Sequence, residues 1–305
     1  MSTPDAVLPP LLVLDGGLSN ALEDRGADLS SALWTARLLR DDPQEVVAVH
    51  WEYFAAGADV ATTASYQASV PSLVAAGFGE QEARTLIRAS VTLARQARDE
   101  AASMGRRLLV AASVGPYGAV LADGSEYRGG YGLTAAALRD FHGPRLELLA
   151  SAGPDVIAVE TIPDVREAEV LVPLLDEIGL PAWVSYCVEG GRTRAGQSLQ
   201  EAYDVLAGST AVVAAGVNCS APADVMQAVI TAVAATGRPA VAYPNRGENW
   251  DAASRTWRGD GTSPGGLARA WVAAGAGLVG GCCRVGPADI AELAGALAPL
   301  RGCGG

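Results

Sequence analysis

Eight short apolar runs alternate with helix-patterned stretches from one end of the chain to the other, and this alternation constrains the fold more than any other feature. The runs fall at 11–14, 59–65, 108–113, 155–160, 182–188, 212–218, 240–243 and 278–280. Each is too short for an ordinary helix and suits a strand buried on both faces. The stretch 43–56 between the first two opens with Pro43 at a first helical turn and sets Val46, Val49 and Phe54 among polar positions. Stretches 80–103, 134–152, 164–178, 222–235, 264–274 and 287–300 carry the same pattern, and a shorter one near 199–207 follows the fifth run. The Ala-Gly pairs at 56–57, 152–153 and 274–275 place glycine where a left-handed helix cap returns the chain to the sheet. Strand-helix alternation repeated eight times predicts an α/β fold with a parallel sheet closed as a single (β/α)8 TIM-type barrel. The competing open sheet announces itself by a GxGxxG turn after its first strand, and Asp15-Gly16-Gly17 lacks that spacing. No linker divides the chain, so residues 1–305 are expected to form one barrel domain, with its core at 11–300 and a short tail at 301–305.

Charge and composition narrow the function. Acidic residues outnumber basic ones 34 to 22, a formal charge of −12, with no cluster of cations to displace phosphate counterions; nucleic acid is not an expected partner. Apolar stretches break well short of membrane-spanning length, and 1–10 lacks a basic signal-peptide start, so a cytoplasmic protein is expected. Five cysteines in a chain this long do not make a disulfide scaffold. The two histidines, His50 and His142, fall on helical stretches and are read as structural or surface residues, which disfavours Ser-His-Asp and Cys-His chemistry. Surface patches, and with them the oligomeric state, are not read from the sequence.

In a parallel barrel the site forms where strands end. Those ends carry Asp15, Ser65-Tyr66, Ser113, Glu160, Tyr186, Asn218-Cys219, Tyr243 to Asn245, and Cys282-Cys283. The long loops 115–133 and 245–263 follow strands and should overhang the same mouth. A single cysteine is most often a small buried apolar residue, and Cys187 is read that way, while Cys303 in the glycine-rich tail is read as incidental. The adjacent pair differs. Neighbours on a regular strand face opposite ways, so Cys282 and Cys283 converge only if the strand breaks at Gly280-Gly281. Three converging thiols from strands six and eight suit a soft metal, zinc first, and leave one tetrahedral position open, as a catalytic centre does. An electron-rich thiolate zinc is a poor activator of water but keeps an incoming thiol nucleophilic, which points to thiol alkylation. A sulfonium donor leaves as a neutral thioether and needs no general acid. A glycine-rich phosphate cup at Gly280-Gly281 with incidental cysteines is the alternative on geometry, and a non-catalytic thiol- or zinc-binding module is another.

The blocks Asp15-Gly16-Gly17, Ala64 to Gln67, Ser113 to Gly118, Glu160-Thr161, Gly216 to Cys219, Tyr243 to Asn245 and Gly280 to Arg284 together resemble the zinc-dependent homocysteine S-methyltransferases. The Asn-Cys and Gly-Gly-Cys-Cys pair at this separation carries the resemblance, which extends over nearly the whole chain. The segment from Tyr117 to Tyr131 is most similar to the S-methylmethionine-using branch. The resemblance implies that Cys219, Cys282 and Cys283 hold zinc and that the homocysteine sulfur takes the fourth position. It further implies that Glu160 grips the homocysteine ammonium with Asp15 beside it, and that Asn218 orients the neighbouring ligand or touches substrate. Trp34 and Tyr66 would supply an aromatic face for the sulfonium. The expected product is methionine, with S-adenosylmethionine as the other candidate donor and selenohomocysteine as another candidate acceptor. Arg246 departs from the pattern, standing where a small residue is expected; a cation there would repel a sulfonium or pin a substrate carboxylate.

Overall fold

A computed structural model describes residues 8–27, 38–251, 256–259 and 261–301. Eight parallel strands form the sheet: β1 (Leu12–Val13), β2 (Val60–Thr62), β3 (Leu109–Val114), β4 (Val156–Ile162), β5 (Ala182–Tyr186), β6 (Val212–Asn218), β7 (Ala240–Tyr243) and β8 (Ala276–Val279). They pair in the order β1-β8-β7-β6-β5-β4-β3-β2. A parallel bridge from Leu14 to Val60, with the Asp15 N–H donating to the Val60 carbonyl at 3.1 Å, brings β1 against β2 and closes the barrel. Helices Pro43–Ala56, Glu80–Glu100, Ala135–Ser151, Val165–Ile178, Leu199–Ala207, Pro222–Thr236, Gly265–Ala273 and Pro287–Arg301 form the outer layer. Gly57, Gly153 and Gly275 have φ of 112°, 74° and 109°, the left-handed turns expected at those helix ends.

Alternation along the strands builds the interior in layers. Inward positions near the strand starts are apolar: Leu12, Leu14, Val60, Leu109, Ala111, Val156, Ala158, Trp183, Ala214, Val241 and Leu278 form one buried cluster. Two residues further along the same faces the composition changes to Thr62, Ser113, Glu160 and Ser185, and four residues after Ala214 to Asn218. The barrel is therefore plugged below and polar above, which fixes the open end. Gly216 lies between these layers because a Cβ there would stand 1.9 Å from the Val241 carbonyl oxygen.

Two expected strands are shorter than their apolar runs. The run 59–65 stops at Thr62: the Ser113 N–H donates to Thr63 Oγ1, and the Thr63 and Ser65 hydroxyls bond each other at 2.7 Å, so side chains replace the ladder. The run 182–188 stops at Tyr186, and Val188–Glu189 turns into an antiparallel hairpin with Arg192–Thr193. The loop 115–133 folds locally into a helix, Tyr117–Leu121, and a 3-10 turn, Ser125–Tyr127. No helix among the described residues is long and apolar enough to cross a membrane.

Candidate metal and substrate site

The three cysteines meet at the open end of the barrel. Cys219, Cys282 and Cys283 place their sulfurs within 4.8 Å of one another. Cys219 and Cys282 are joined as a disulfide, with Cα atoms 5.6 Å apart, while Cys283 keeps a free thiol. A strand break does permit the adjacent pair to converge, as the sequence requires: β8 ends at Val279.

The end of β7 ties the two cysteine segments together. The Tyr243 carbonyl accepts from the Cys219 N–H at 3.3 Å and the Pro244 carbonyl from the Cys282 N–H at 2.8 Å. Asn245 Oδ1 accepts from the Cys283 N–H at 3.2 Å. The Asp15-Gly16-Gly17 turn packs against the same frame, its Asp15 carbonyl accepting from Gly281 N–H at 3.0 Å. A Cβ on Gly16 would meet the Val285 carbonyl at 2.2 Å, and one on Gly17 the Cys282 carbonyl at 2.8 Å. Cys219 and Arg284 hold left-handed φ of 46° and 69°, conformations that L side chains adopt at a cost and that surrounding contacts must enforce. Asn20 Oδ1 accepts from the Arg284 N–H at 2.8 Å and supplies one such contact.

These contacts remove the phosphate cup. The Gly280 N–H donates to Ala242 and the Gly281 N–H to Asp15, both at 3.0 Å. The space beside Gly281 is filled by the Val285 side chain, 2.1 Å from where a Cβ would sit.

The pocket over the cysteines is lined by Asp15, Tyr66, Tyr127, Glu160, Thr161 and Asn218, among others, together with the three cysteines. Its lining includes no lysine or arginine among the described residues. Burial pushes the Asp15 carboxyl up to about 7, against hydrogen bonds from the Thr62 N–H (2.6 Å) and hydroxyl (2.8 Å) that favour its charged form. Burial likewise pushes Glu160 up to about 6, while hydrogen bonds from Ser113 and Tyr243 and the charge of Arg145 pull it back.

Asn218 is fully buried and its amide is occupied. Its Oδ1 accepts from the Thr161 N–H at 2.6 Å and the Ser185 hydroxyl at 2.9 Å, and its Nδ2 donates to Thr161 Oγ1 at 2.7 Å. It thereby fixes Thr161, whose φ is 61°, immediately after Glu160. Ser185 continues the network to the Tyr243 hydroxyl at 2.7 Å, which also accepts from Trp183 Nε1 at 3.0 Å.

Several sequence expectations land elsewhere. Tyr186, at a strand end, points outward: its hydroxyl donates to the Ala202 carbonyl at 2.7 Å and its ring packs on Tyr203, while Ser185 takes the inward position. Arg246 is not among the lining residues; its guanidinium lies 3.8 Å from both Glu248 and Asp289. Cys187 is buried as expected, yet it sits behind the cluster, donating through sulfur to the Cys219 carbonyl at 3.2 Å. His50 is fully buried, its pKa pulled down to about 4 by desolvation, and His142 pairs with Glu167 at 2.8 Å; neither lines the pocket. Trp34 and Cys303 lie outside the described residues. Thr161 and Tyr127 also line the pocket, roles the sequence does not assign to them although both stand in blocks it singles out. Tyr127 enters from the 3-10 turn of loop 115–133, with its hydroxyl beside the Cys283 sulfur.

Known proteins resemble the whole of this arrangement. A family profile described as homocysteine S-methyltransferase matches residues 12–297. The homocysteine S-methyltransferase YbgG of Bacillus subtilis is 42% identical over 295 residues, covering 93% of this chain and 94% of its own. The homocysteine S-methyltransferase of Escherichia coli is 44% identical over 291 residues, with the same coverage of 93% and 94%. The metallated form of the homocysteine methyltransferase MmuM from Escherichia coli superposes with a TM-score of 0.85 at 41% identity, covering 94% of this chain and 96% of that one. An oxidised form of the same protein also gives 0.85, covering 96% and 99%.

Proposed function

This chain belongs to the homocysteine S-methyltransferase family and transfers a methyl group to homocysteine; from that premise we propose zinc as its metal and S-methylmethionine as its donor. The observation that carries the reading is a pocket holding three converging cysteine sulfurs and two carboxylates, with no lysine or arginine among the described residues that line it.

The donor set fits zinc. Tetrahedral thiolates about 2.3 Å from zinc stand roughly 3.8 Å apart, which a cluster within 4.8 Å reaches once the Cys219–Cys282 bond is reduced. No fourth Cys, His, Asp or Glu among the described residues joins the cluster, so a position is left for substrate. Cys219, Cys282 and Cys283 would hold the ion, and zinc bound there would supply homocysteine as a thiolate at neutral pH. The cytoplasm, where such thiols stay reduced, is the compartment that suits it.

The remaining work falls to the protein. Glu160 pairs with the homocysteine ammonium, and Asp15 supports the same end. Asn218 acts one step back, fixing Thr161 and with it the aim of Glu160. Tyr66 faces the donor, whose sulfonium is attracted to a ring face by roughly 0.5–2 kcal/mol. In the transfer a carbon–sulfur bond forms at homocysteine as the donor's methyl–sulfur bond breaks. The electron pair leaves with the donor sulfur, and the homocysteine proton goes to solvent. With S-methylmethionine both products are methionine. The pocket's negative charge favours a cationic donor and disfavours a polyanionic one such as a folate.

The test is a turnover assay with homocysteine against each sulfonium, before and after chelation. Methionine formation with S-methylmethionine, lost on chelation and restored by zinc, is expected. Faster turnover with S-adenosylmethionine would reassign the donor, and activity that survives complete metal removal would contradict the zinc assignment.

A further inference from the structure

Helix Ala135–Ser151 lies in the outer layer, yet one of its side chains reaches across to the loops at the open end of the barrel. Arg145 is 2% exposed. Its Nη1 donates to the Gly115 carbonyl at 2.9 Å, and its Nη2 donates to the carbonyls of Ser65, at 2.8 Å, and Tyr66. Among the described residues no carboxylate lies within ion-pair distance of it. A buried guanidinium without an ion partner costs several kcal/mol in desolvation, which the bonds at Nη1 and Nη2 offset only in part, since Nε has no partner among the described residues. A helix–sheet contact has no need of such a group, since an aliphatic side chain would fill the same space. The three carbonyls therefore call for their own explanation.

All three belong to the loops that follow β2 and β3, and together they bracket one side chain. Tyr66 is held at its carbonyl by Arg145. Its ring lies against Gly115, where a Cβ would stand 2.6 Å from Cδ2 and Cε2. Its hydroxyl lies beside Thr161, itself fixed by Asn218. The ring so held lines the pocket.

We infer that Arg145 is a positioning residue for the methyl donor, which sets the Tyr66 ring as the donor's wall by clamping the backbone on either side of it. The inference rests on the proposed sulfonium donor. Lysine retains the charge but has no planar fork to hold three carbonyls, so Arg145→Lys isolates the clamp from the field it exerts on Glu160. Gly115→Ala reaches the same ring from its opposite support without touching Arg145.

Steady-state kinetics with both substrates varied, on zinc-loaded protein whose melting shows it folded, provide the test. Either variant is expected to raise the donor KM roughly tenfold or more while the homocysteine KM stays within about twofold. In a Tyr66→Ala background, Arg145→Lys is expected to change the donor KM by less than about twofold, because the two residues act as one unit. Wild-type turnover with variants that alter both KM values alike, or kcat alone, would overturn the inference and leave the donor assignment standing. The same holds if Arg145→Lys acts fully when Tyr66 is absent. A wild-type enzyme that uses no sulfonium would remove the donor assignment, and this inference with it.

Discussion

The two sides of the pocket are built by different means. On the cysteine side, β6, β7, β8 and the turn after β1 are locked mainly backbone to backbone, with glycines 16, 17 and 280 letting main chains approach where any Cβ would collide. On the opposite side, Tyr66, Thr161 and Glu160 are aimed by side chains, namely Arg145, Asn218, Ser113 and Tyr243. A site that must converge three sulfurs on one point uses the stiffer construction, and a wall that meets a donor uses a relay of hydrogen bonds. Damage to the first should therefore cost metal, and damage to the second should cost substrate affinity while leaving the metal in place.

The largest effect expected is at the cysteines. Cys282→Ala should lose both stoichiometric zinc and turnover, on the order of 10³-fold or more in rate, measured by metal analysis beside methionine production. Next comes the frame. Gly16→Ala drives a Cβ toward the Val285 carbonyl and displaces the turn carrying Cys282 and Cys283; zinc affinity should fall about 10–100-fold, as it does when groups supporting metal ligands are lost. Competition with a chromophoric chelator reads it. Gly16→Ala protein that keeps wild-type zinc affinity would break the contrast.

The carboxylates on the other side should behave differently. Glu160→Gln is expected to keep its zinc and raise the homocysteine KM by about 30-fold or more, the lower end of the range for one partner lost from a buried charge pair. In the wild type Glu160 is pushed up to about 6 and Asp15 to about 7, so both protonate as pH falls from 8 to 5. The homocysteine KM should rise over that interval, and a KM flat across it would deny the ammonium its partner.

The smallest effect is on stability, and its sign is unusual. Because the Asp15 carboxyl titrates above its ordinary range, the folded state binds more protons than the unfolded one between about pH 4 and 7, and stability is lost as pH rises through that window. Asp15→Asn removes the penalty, and an amide still satisfies Thr62 by accepting from its N–H and donating to its hydroxyl. Metal-free, reduced Asp15→Asn should melt roughly 2–4 °C above wild type at pH 8, with the gap closing toward pH 5. Differential scanning calorimetry at the two pH values checks it.

The same contrast explains what could be read from the sequence. Backbone-built structure leaves local marks: the Gly-Gly-Cys-Cys run, the Asp-Gly-Gly turn and the Tyr-Pro-Asn block are each contiguous, and each proved part of one frame. The strand rhythm was legible for the same reason, since apolar runs and capping glycines are local. The relay was not. Arg145 on a helix has no pattern of its own, and although Thr161 and Tyr127 stand in recognisable blocks, nothing local says that they line the pocket; the partners of all three lie on elements far away in the chain. Tyr186 shows the related error, because a run of apolar residues on a doubly buried strand does not disclose which parity faces inward. Arg246 looked anomalous only while its acidic neighbours Glu248 and Asp289 could not be placed beside it.

Zinc K-edge X-ray absorption on reduced, zinc-loaded protein, recorded without and with homocysteine, tests the central claim most directly. Three sulfur neighbours should become four when homocysteine is added, and Cys283→Ser should lower both counts by one. A first shell dominated by nitrogen or oxygen, or a sulfur count indifferent to homocysteine, would contradict the account.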